Sequence, residues 1–313
     1  MTTTPVCRPG VVGYGDRVSP PPDPRDTRDA RGAWKVRWQR AVATGRSSRL
    51  IERARSGVLV GGVRGRPAAL VEVIVLLLGF LLFTYLHAAA GKDVASATAN
   101  ALTLQSVERV LHLDIEQMAN GWLTEHPALI QLAVYYYRSY YAVIVGVLLW
   151  IFVRHADIYL KVRRTLLAMT ALAPPVFWAL PMSPPRFALP GVVDIVAEHD
   201  ILGSHASREM GNGQNHYSAM PSLHVGWSAW CAYAVWSALR ASHPRLALLS
   251  WVFPLVMAVD VLTTGNHYVL DIVGSAVLLG VAIAAASVCG RLAERWRRAR
   301  SAAIALDHPR RSC

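Results

Sequence analysis

The 313-residue sequence is poor in cysteine and in charged residues, and both shortages narrow the class of protein. Its four cysteines, at positions 7, 231, 289 and 313, are too scattered for a disulfide framework or a metal site. Only 17% of the residues are charged, whereas 53% are hydrophobic. No apolar segment occurs before Ala68, so no cleavable signal peptide is predicted.

Apolar residues are concentrated after position 66, in runs that reach the length of about 17–25 residues needed to cross a bilayer. A soluble enzyme and a secreted disulfide-rich domain are therefore excluded. We predict an all-α, polytopic membrane protein with a basic, disordered tail (1–66), a membrane domain (67–290) and a second basic tail (291–313). The six predicted spans are Pro67–Ala89, Val134–Val153, Thr165–Leu180, Pro221–Leu239, Leu246–Leu262 and Tyr268–Cys289.

The basic residues predict the orientation of these spans in the cell membrane. Of the 32 Lys and Arg residues, 27 lie in the two tails and in the loops around 154–164 and 240–245, whereas the opposite loops hold four. By the positive-inside rule, both termini are cytoplasmic. This clustering at alternate membrane boundaries also argues against nucleic acid as the partner, despite a net charge of +12.

The segment Lys92–Pro127, between the first two spans, is predicted to be an amphipathic, interfacial helix region. Its apolar residues recur at helical spacing beside acidic ones. These apolar residues are Val107, Val110, Leu111 and Ile115.

Ionisable residues at membrane depth point to function, and several lie at the outer ends of the predicted spans. His267 and Asp271 are four residues apart, so on a helix the carboxylate can orient the imidazole and leave Nε2 as a nucleophile or base. His224 begins another helix, whose free N–H groups around Ser222 favour an anion. Arg186 supplies a guanidinium fork that suits phosphate oxygens. Together these residues predict phosphoryl transfer without a metal.

At these positions the chain resembles the type-2 phosphatidic acid phosphatase superfamily of membrane lipid-phosphate enzymes. The family signatures are Lys-x6-Arg-Pro, Pro-Ser-Gly-His and Ser-Arg-x5-His-x3-Asp, and the chain shows Arg186, Pro221-Ser222-Leu223-His224 and His267-x3-Asp271. The resemblance covers about residues 67–290, including the six-span layout. It implies that His267 attacks phosphorus, that Asp271 orients His267, that His224 protonates the leaving oxygen and that Arg186 binds phosphate.

The chain departs from the first and third signatures. Ala179 replaces the Lys, Phe187 replaces the Pro, and Asp260-Val261 replaces the Ser-Arg. Two cationic phosphate ligands are thus lost. The remaining pattern looks closer to the inositol phosphorylceramide synthase branch, whose members transfer a phospho-alcohol head group between lipids. A phosphodiester carries less charge than a phosphomonoester and needs fewer cations.

The polar residues outside the signatures leave alternatives open. Arg138 either replaces a lost cation or snorkels to the interface. Asp260 is either a buried structural carboxylate or a partner of Arg186 or His267. The Tyr135–Tyr141 cluster is typical of an interfacial aromatic belt rather than of a substrate site.

The outer loop, 182–220, offers two further hypotheses. Three histidines of this loop lack the short paired spacing of a zinc site, so we expect no metal and no other cofactor. Three glycines of the loop favour a lid or an acceptor pocket. The histidines are His199, His205 and His216, and the glycines are Gly203, Gly211 and Gly213.

The sequence therefore predicts a lipid phosphotransferase whose active site faces the extracytoplasmic side. Its catalytic residues are His267, His224 and Asp271, and its phosphate-binding residues are Arg186, Ser222 and Arg138, the last of these by placement only. The partners are a membrane lipid and an alcohol or water acceptor. A lipid-phosphate phosphatase is the alternative enzyme, and a non-catalytic lipid-binding or lipid-translocating protein is the alternative of another class.

Overall fold

A computed structural model of the protein describes residues 67–90, 93–199 and 215–307, and this part of the chain is helical. The predicted all-α class is confirmed for these residues, which form no strand beyond one isolated bridge between Met182 and Ser218. The helices are α1 (Ala69–Ala89), α2 (Val94–Val110), α3 (Glu116–Thr124), α4 (Pro127–Arg154), α5 (Ala156–Ala179), α6 (Pro185–Ala188), α7 (Ile195–Glu198), α8 (Leu223–Leu239), α9 (Pro244–Leu249), α10 (Val252–Thr263) and α11 (Val269–Asp307). The predicted N-terminal tail and the loop glycines 203, 211 and 213 lie outside the described residues.

Four helical stretches are long and apolar enough to cross a membrane. They are Ala69–Ala89, Pro127–Arg154, Pro244–Thr263 and Val269–Ala302, and they overlap the first, second, fifth and sixth predicted spans. Helices α5 and α8 occupy the other two predicted positions. Because α8 has 17 residues and α5 carries several charged residues in its first half, the count of six spans stays a prediction.

Helix α8 lies at the centre of the bundle. Its residues Val225–Ala234 are all buried, and it packs against α4, α5, α10 and α11. Gly226 permits the close approach of α5, because a Cβ at this position would lie 2.4 Å from Met169 Cε. Trp230 is fully buried and donates its indole N–H to the Val162 carbonyl oxygen at 3.0 Å. Leu and Val side chains on α1, α4, α10 and α11 are exposed instead, as expected for helices that face lipid.

Helices α2 and α3 lie within the segment predicted to be amphipathic. Their buried acidic residues face the protein. Glu108 and Glu116 are 0% and 1% exposed, whereas Val107 and Val110 are 46% and 78% exposed. The apolar face thus points outward, as in a helix that lies in the membrane interface. Helical spacing indicates two faces but does not show which face the protein covers.

Several predicted boundaries differ from the observed ones, most of all at α5 and α11. Helix α5 begins at Ala156 rather than at Thr165, and Pro174 and Pro175 lie inside it. Helix α11 continues past Cys289 to Asp307, into the segment predicted as a tail. Apolar runs mark where a bilayer can be crossed, whereas helices extend beyond the bilayer wherever the sequence still favours them.

Candidate active site

The turn between α10 and α11 places two polar side chains at the start of α11. The N–H groups of Asn266 and His267 both donate to the Val261 carbonyl oxygen, at 3.0 and 3.2 Å. Gly265 turns the chain here with φ +73°, and a Cβ at this position would lie 2.7 Å from Val192 Cγ1. The turn therefore requires glycine both for its backbone angle and for its close packing.

His267 and Asp271 form the buried pair that their spacing predicts. His267 Nδ1 lies 3.3 Å from Asp271 Oδ2, and the side chains are 8% and 0% exposed. The same carboxylate oxygen accepts the Tyr268 N–H at 2.9 Å. The carboxylate is thus held in place, and it leaves His267 Nε2 as the nitrogen available for chemistry.

His224 extends from the first turn of α8 towards the same point. Its ring centroid lies 6.0 Å from that of His267. Tyr137 stacks on the His224 ring at 4.1 Å, and Tyr140 meets it edge-on at 4.6 Å. Aromatic packing from α4 therefore fixes the position of the second histidine.

Arg186 is held beside the histidines by three contacts. Its backbone N–H donates to the Gly265 carbonyl oxygen at 3.0 Å, and its Nη1 donates to Asn266 Oδ1. Its Nε lies 3.1 Å from Asp194 Oδ2 in an ion pair of which both side chains are largely buried. The guanidinium is oriented by these contacts, and Asp194 offsets part of its charge.

The structure does not bring Ser222 into the cavity that His267, His224, Arg186 and Arg138 line. Ser222 is fully buried and caps α8, since its Oγ accepts the Val225 N–H at 3.4 Å. Its own N–H donates to the Asp271 carbonyl oxygen at 3.3 Å, so it is not available to an anion. Its carbonyl oxygen accepts a hydrogen bond from Ser275 Oγ at 2.6 Å. These contacts make Ser222 a link between α8 and α11 instead.

Four of the predicted site residues surround one cavity of about 340 Å³, whereas Asp271 lies behind His267 and does not line it. His267, His224, Arg186 and Arg138 all line it. Most of the other lining residues are aromatic or polar: Phe80, Phe83, Thr84, His87, Tyr137, Tyr140, Tyr141, Phe177, Asn215, His216, Ser218, Trp227 and Asn266. Within the described ranges, no group of three or more His, Cys, Asp or Glu side chains could hold a metal ion.

Comparison with protein families identifies the group to which this arrangement belongs. Residues 102–285, more than half of the chain, match the family described as the PAP2 superfamily. The chain belongs to the PAP2 superfamily. No curated protein and no solved structure matches it.

Membership of the PAP2 superfamily supports a phosphatase or phosphotransferase activity on lipid phosphates, carried out by a helical membrane protein. The PAP2 match begins within α2 and ends within α11, so it includes every predicted site residue. It excludes α1, although Phe83 and His87 of that helix line the cavity.

Sequence reasoning missed three residues of the candidate site. Tyr137 and Tyr140 belong to the cluster that the sequence predicts as an interfacial belt, but they are buried, whereas Tyr135 and Tyr141 are exposed. Asn266 precedes His267 in the motif, and its role appears once Arg186 is seen to bind it.

The acidic partner of Arg186 is Asp194, in the cap of the short helix α7. Of the alternatives left open for Asp260, the described contacts agree with a buried carboxylate rather than with a partner of Arg186. No sequence signal joins Asp194 to Arg186 beyond their separation of eight residues.

Proposed function

We propose that this PAP2-superfamily protein is a membrane lipid phosphotransferase that moves a phospho-alcohol head group or a phosphoryl group by way of a phosphohistidine on His267. The observation that carries the proposal is the buried His267–Asp271 pair, which opens on a cavity that His224 and Arg186 also line. This arrangement supplies a nucleophile, an acid–base group and a phosphate ligand within one site.

In the first step, the His267 Nε2 lone pair attacks phosphorus in line with the leaving oxygen. The N–P bond forms as the P–O bond breaks, and protonated His224 gives its proton to the leaving alcohol. Asp271 stabilises the positive charge that develops on the His267 ring. Arg186 binds the non-bridging oxygens.

In the second step, an acceptor hydroxyl attacks the phosphorus of the phosphohistidine. Neutral His224 takes the proton of this hydroxyl while the new P–O bond forms and the N–P bond breaks. His267 and protonated His224 are thereby regenerated. The acceptor is an alcohol in a transferase and water in a phosphatase.

The charges around the cavity favour a phosphodiester over a phosphomonoester. Among its described lining residues, the Lys and Arg side chains are Arg138 and Arg186 alone. Asp194 offsets part of the Arg186 charge. A singly charged diester therefore needs less compensation here than a doubly charged monoester, which supports the transferase reading. A phosphatase remains the second candidate, since the mechanism accepts water equally well.

We also propose six spans, with both termini in the cytoplasm and the active site at the opposite face. Helix α8 has 17 residues and is about 26 Å long at 1.5 Å per residue, close to the hydrocarbon thickness of about 30 Å. In α5, Lys161, Arg163 and Arg164 lie in the first half, away from the end that leads to Arg186. The positive-inside rule puts that first half at the cytoplasmic side.

The test uses purified protein in detergent with lipid phosphomonoesters and lipid phosphodiesters, each with and without alcohol acceptors. Free phosphate and new lipid species are both measured, and His267→Ala is the blank. An acceptor-dependent new lipid supports the transferase, whereas phosphate release that ignores the acceptor supports the phosphatase. Activity equal to wild type in His267→Ala would end the phosphohistidine mechanism, and failure of vanadate to inhibit or protect wild-type protein would favour a non-catalytic lipid-binding protein.

A further inference from the structure

The start of α11, which carries His267 and Asp271, rests on two buried carboxyl groups from α2 and α3. Glu108 Oε1 accepts the Leu270 N–H at 2.6 Å, and Glu116 Oε1 accepts the Val269 N–H at 3.2 Å. With Asp271 accepting the Tyr268 N–H, three carboxyl groups accept three consecutive N–H groups, those of Tyr268, Val269 and Leu270, where this helix begins. These N–H groups have no partner within a helix, so this arrangement satisfies them and complements the helix dipole.

The two glutamates cannot both be charged without cost. Their side chains are almost fully buried, and Glu108 Oε2 has no hydrogen-bond donor among the described residues. The Glu108 and Glu116 carboxyl groups accept the adjacent N–H groups of Leu270 and Val269, so they lie side by side. Two carboxylates contain no donor between them, so this contact needs one proton.

We propose that Glu108 and Glu116 are positioning residues that hold one proton between them and clamp the first turn of α11, and with it His267, in its reactive place. This inference rests on the proposed function for its catalytic consequence, but the clamp itself is a property of the fold. Helices α2 and α3 therefore do more than lie at the membrane interface, because their glutamates also position His267.

The proton should leave the pair under alkaline conditions. Burial raises the pKa of Glu108 to about 8; the Leu270 N–H opposes this shift, and the charges of Glu116 and Asp271 add to it. Burial also raises the pKa of Glu116. Loss of the proton leaves two charged carboxylates in contact beside Asp271, and their repulsion opens the clamp.

Other titratable and charged groups lie near the pair on the neighbouring helices. Asp271 and Tyr268 face the pair from the start of α11. Arg186, from the packed helix α6, is engaged by Asp194 and Asn266. On α10, Asp260 acts on Tyr136 and Tyr137 of α4.

The raised pKa of Glu108 determines how the stability of the folded chain changes with pH. The folded chain keeps a proton that the unfolded chain releases near the ordinary Glu pKa of 4.5. The stabilisation is therefore complete below that value and is lost as the pH rises towards about 8. We expect the melting temperature of the wild-type protein to fall over this range.

Glutamine variants separate the clamp from mere packing. In Glu116→Gln, the amide oxygen can still accept the Val269 N–H, while the amide N–H₂ donates permanently to Glu108. In Glu108→Gln, the amide oxygen can still accept the Leu270 N–H, and the amide N–H₂ donates permanently to Glu116. At neutral pH, both glutamine variants should keep kcat within about threefold of wild type, and their stability should no longer fall at alkaline pH. Glu116→Ala should instead lower kcat by about 10- to 100-fold with little change in KM. Glu125→Gln, an exposed glutamate directly after α3, is the matched control.

The decisive measurement is hydrogen exchange of the peptide covering residues 265–275 at pH 7 and pH 9, corrected for intrinsic exchange. Wild type and Glu125→Gln should lose protection at pH 9, and both Gln variants should keep it. Equal loss in Glu116→Gln, or full protection with wild-type kcat in Glu116→Ala, would overturn the clamp. Because exchange needs no substrate, the clamp is tested even if His267→Ala shows that the proposed reaction is wrong.

Discussion

Asp271→Asn tests the proposed chemistry with the smallest change of shape. In the wild-type protein, one Asp271 oxygen receives the Tyr268 N–H at 2.9 Å and lies 3.3 Å from His267 Nδ1. The other oxygen, Oδ1, is buried and has no hydrogen-bond donor among the described residues. The asparagine amide must therefore adopt one of two orientations, and each has a distinct cost.

If the amide oxygen replaces Oδ2, both contacts survive, but the charge that stabilises a cationic ring is lost and a buried N–H₂ is left without an acceptor. That costs about 1–3 kcal/mol of stability. If the N–H₂ replaces Oδ2, it faces the Tyr268 N–H, so two donors meet and that hydrogen bond is lost. The N–H₂ then donates to His267 Nδ1. The ring proton then moves to Nε2, and the nucleophilic lone pair disappears.

The expected loss of kcat is therefore about 10²- to 10⁴-fold, or roughly 3–5 kcal/mol of transition-state stabilisation. KM should change little, because Asp271 does not line the cavity. The assay is transfer or phosphate release at saturating lipid in detergent, with Asp157→Asn as the control, an exposed change in the first turn of α5. An Asp271→Asn protein with kcat within tenfold of wild type would refute the role given to this pair.

Three further substitutions test separate parts of the structure. Arg186→Lys should raise KM by about tenfold or more, measured by initial rates, because a single ammonium cannot replace a fork that binds Asp194, Asn266 and phosphate together. Gly265→Ala should lower stability by about 1–3 kcal/mol, measured by thermal unfolding, because the turn has φ +73° and no room for a Cβ. Glu72→Gln should cost about 3 kcal/mol by the same measurement with KM unchanged, because it leaves the partly buried Arg163 without its carboxylate. An unchanged KM in the first, or an unchanged melting temperature in the others, would contradict the corresponding contact.

The sequence predicted the elements that depend on local patterns. Long apolar runs showed where helices lie, and the four-residue spacing of His267 and Asp271 predicted their contact, because residues four apart share a helix face. Each of these inferences uses only helix geometry or the thickness of a bilayer.

The remaining contacts could not be read from local patterns, because they join distant parts of the chain. Tyr137 is packed on His224 by the way α4 meets α8, and nothing in the tyrosine cluster distinguishes a belt from a cavity wall. Glu108 and Glu116 lie in the segment predicted to be amphipathic, and nothing in that pattern indicates that their side chains are buried. Their burial depends on the start of α11, about 150 residues later in the chain. The N–H groups there donate hydrogen bonds to both carboxyl groups and so lower the free-energy cost of burying them.

The charged groups of the site occur in opposed pairs, and this pattern bears on substrate choice. Asp194 offsets Arg186, and Asp271 lies against His267, so these two groups of the proposed phosphate site are each oriented by a carboxylate. A phosphomonoester would bring a second negative charge close to these carboxylates, whereas a phosphodiester would not. Neutralising Asp194 as Asn should therefore improve binding of monoesters more than binding of diesters, and equal changes in KM for both classes would show that net charge does not select the substrate.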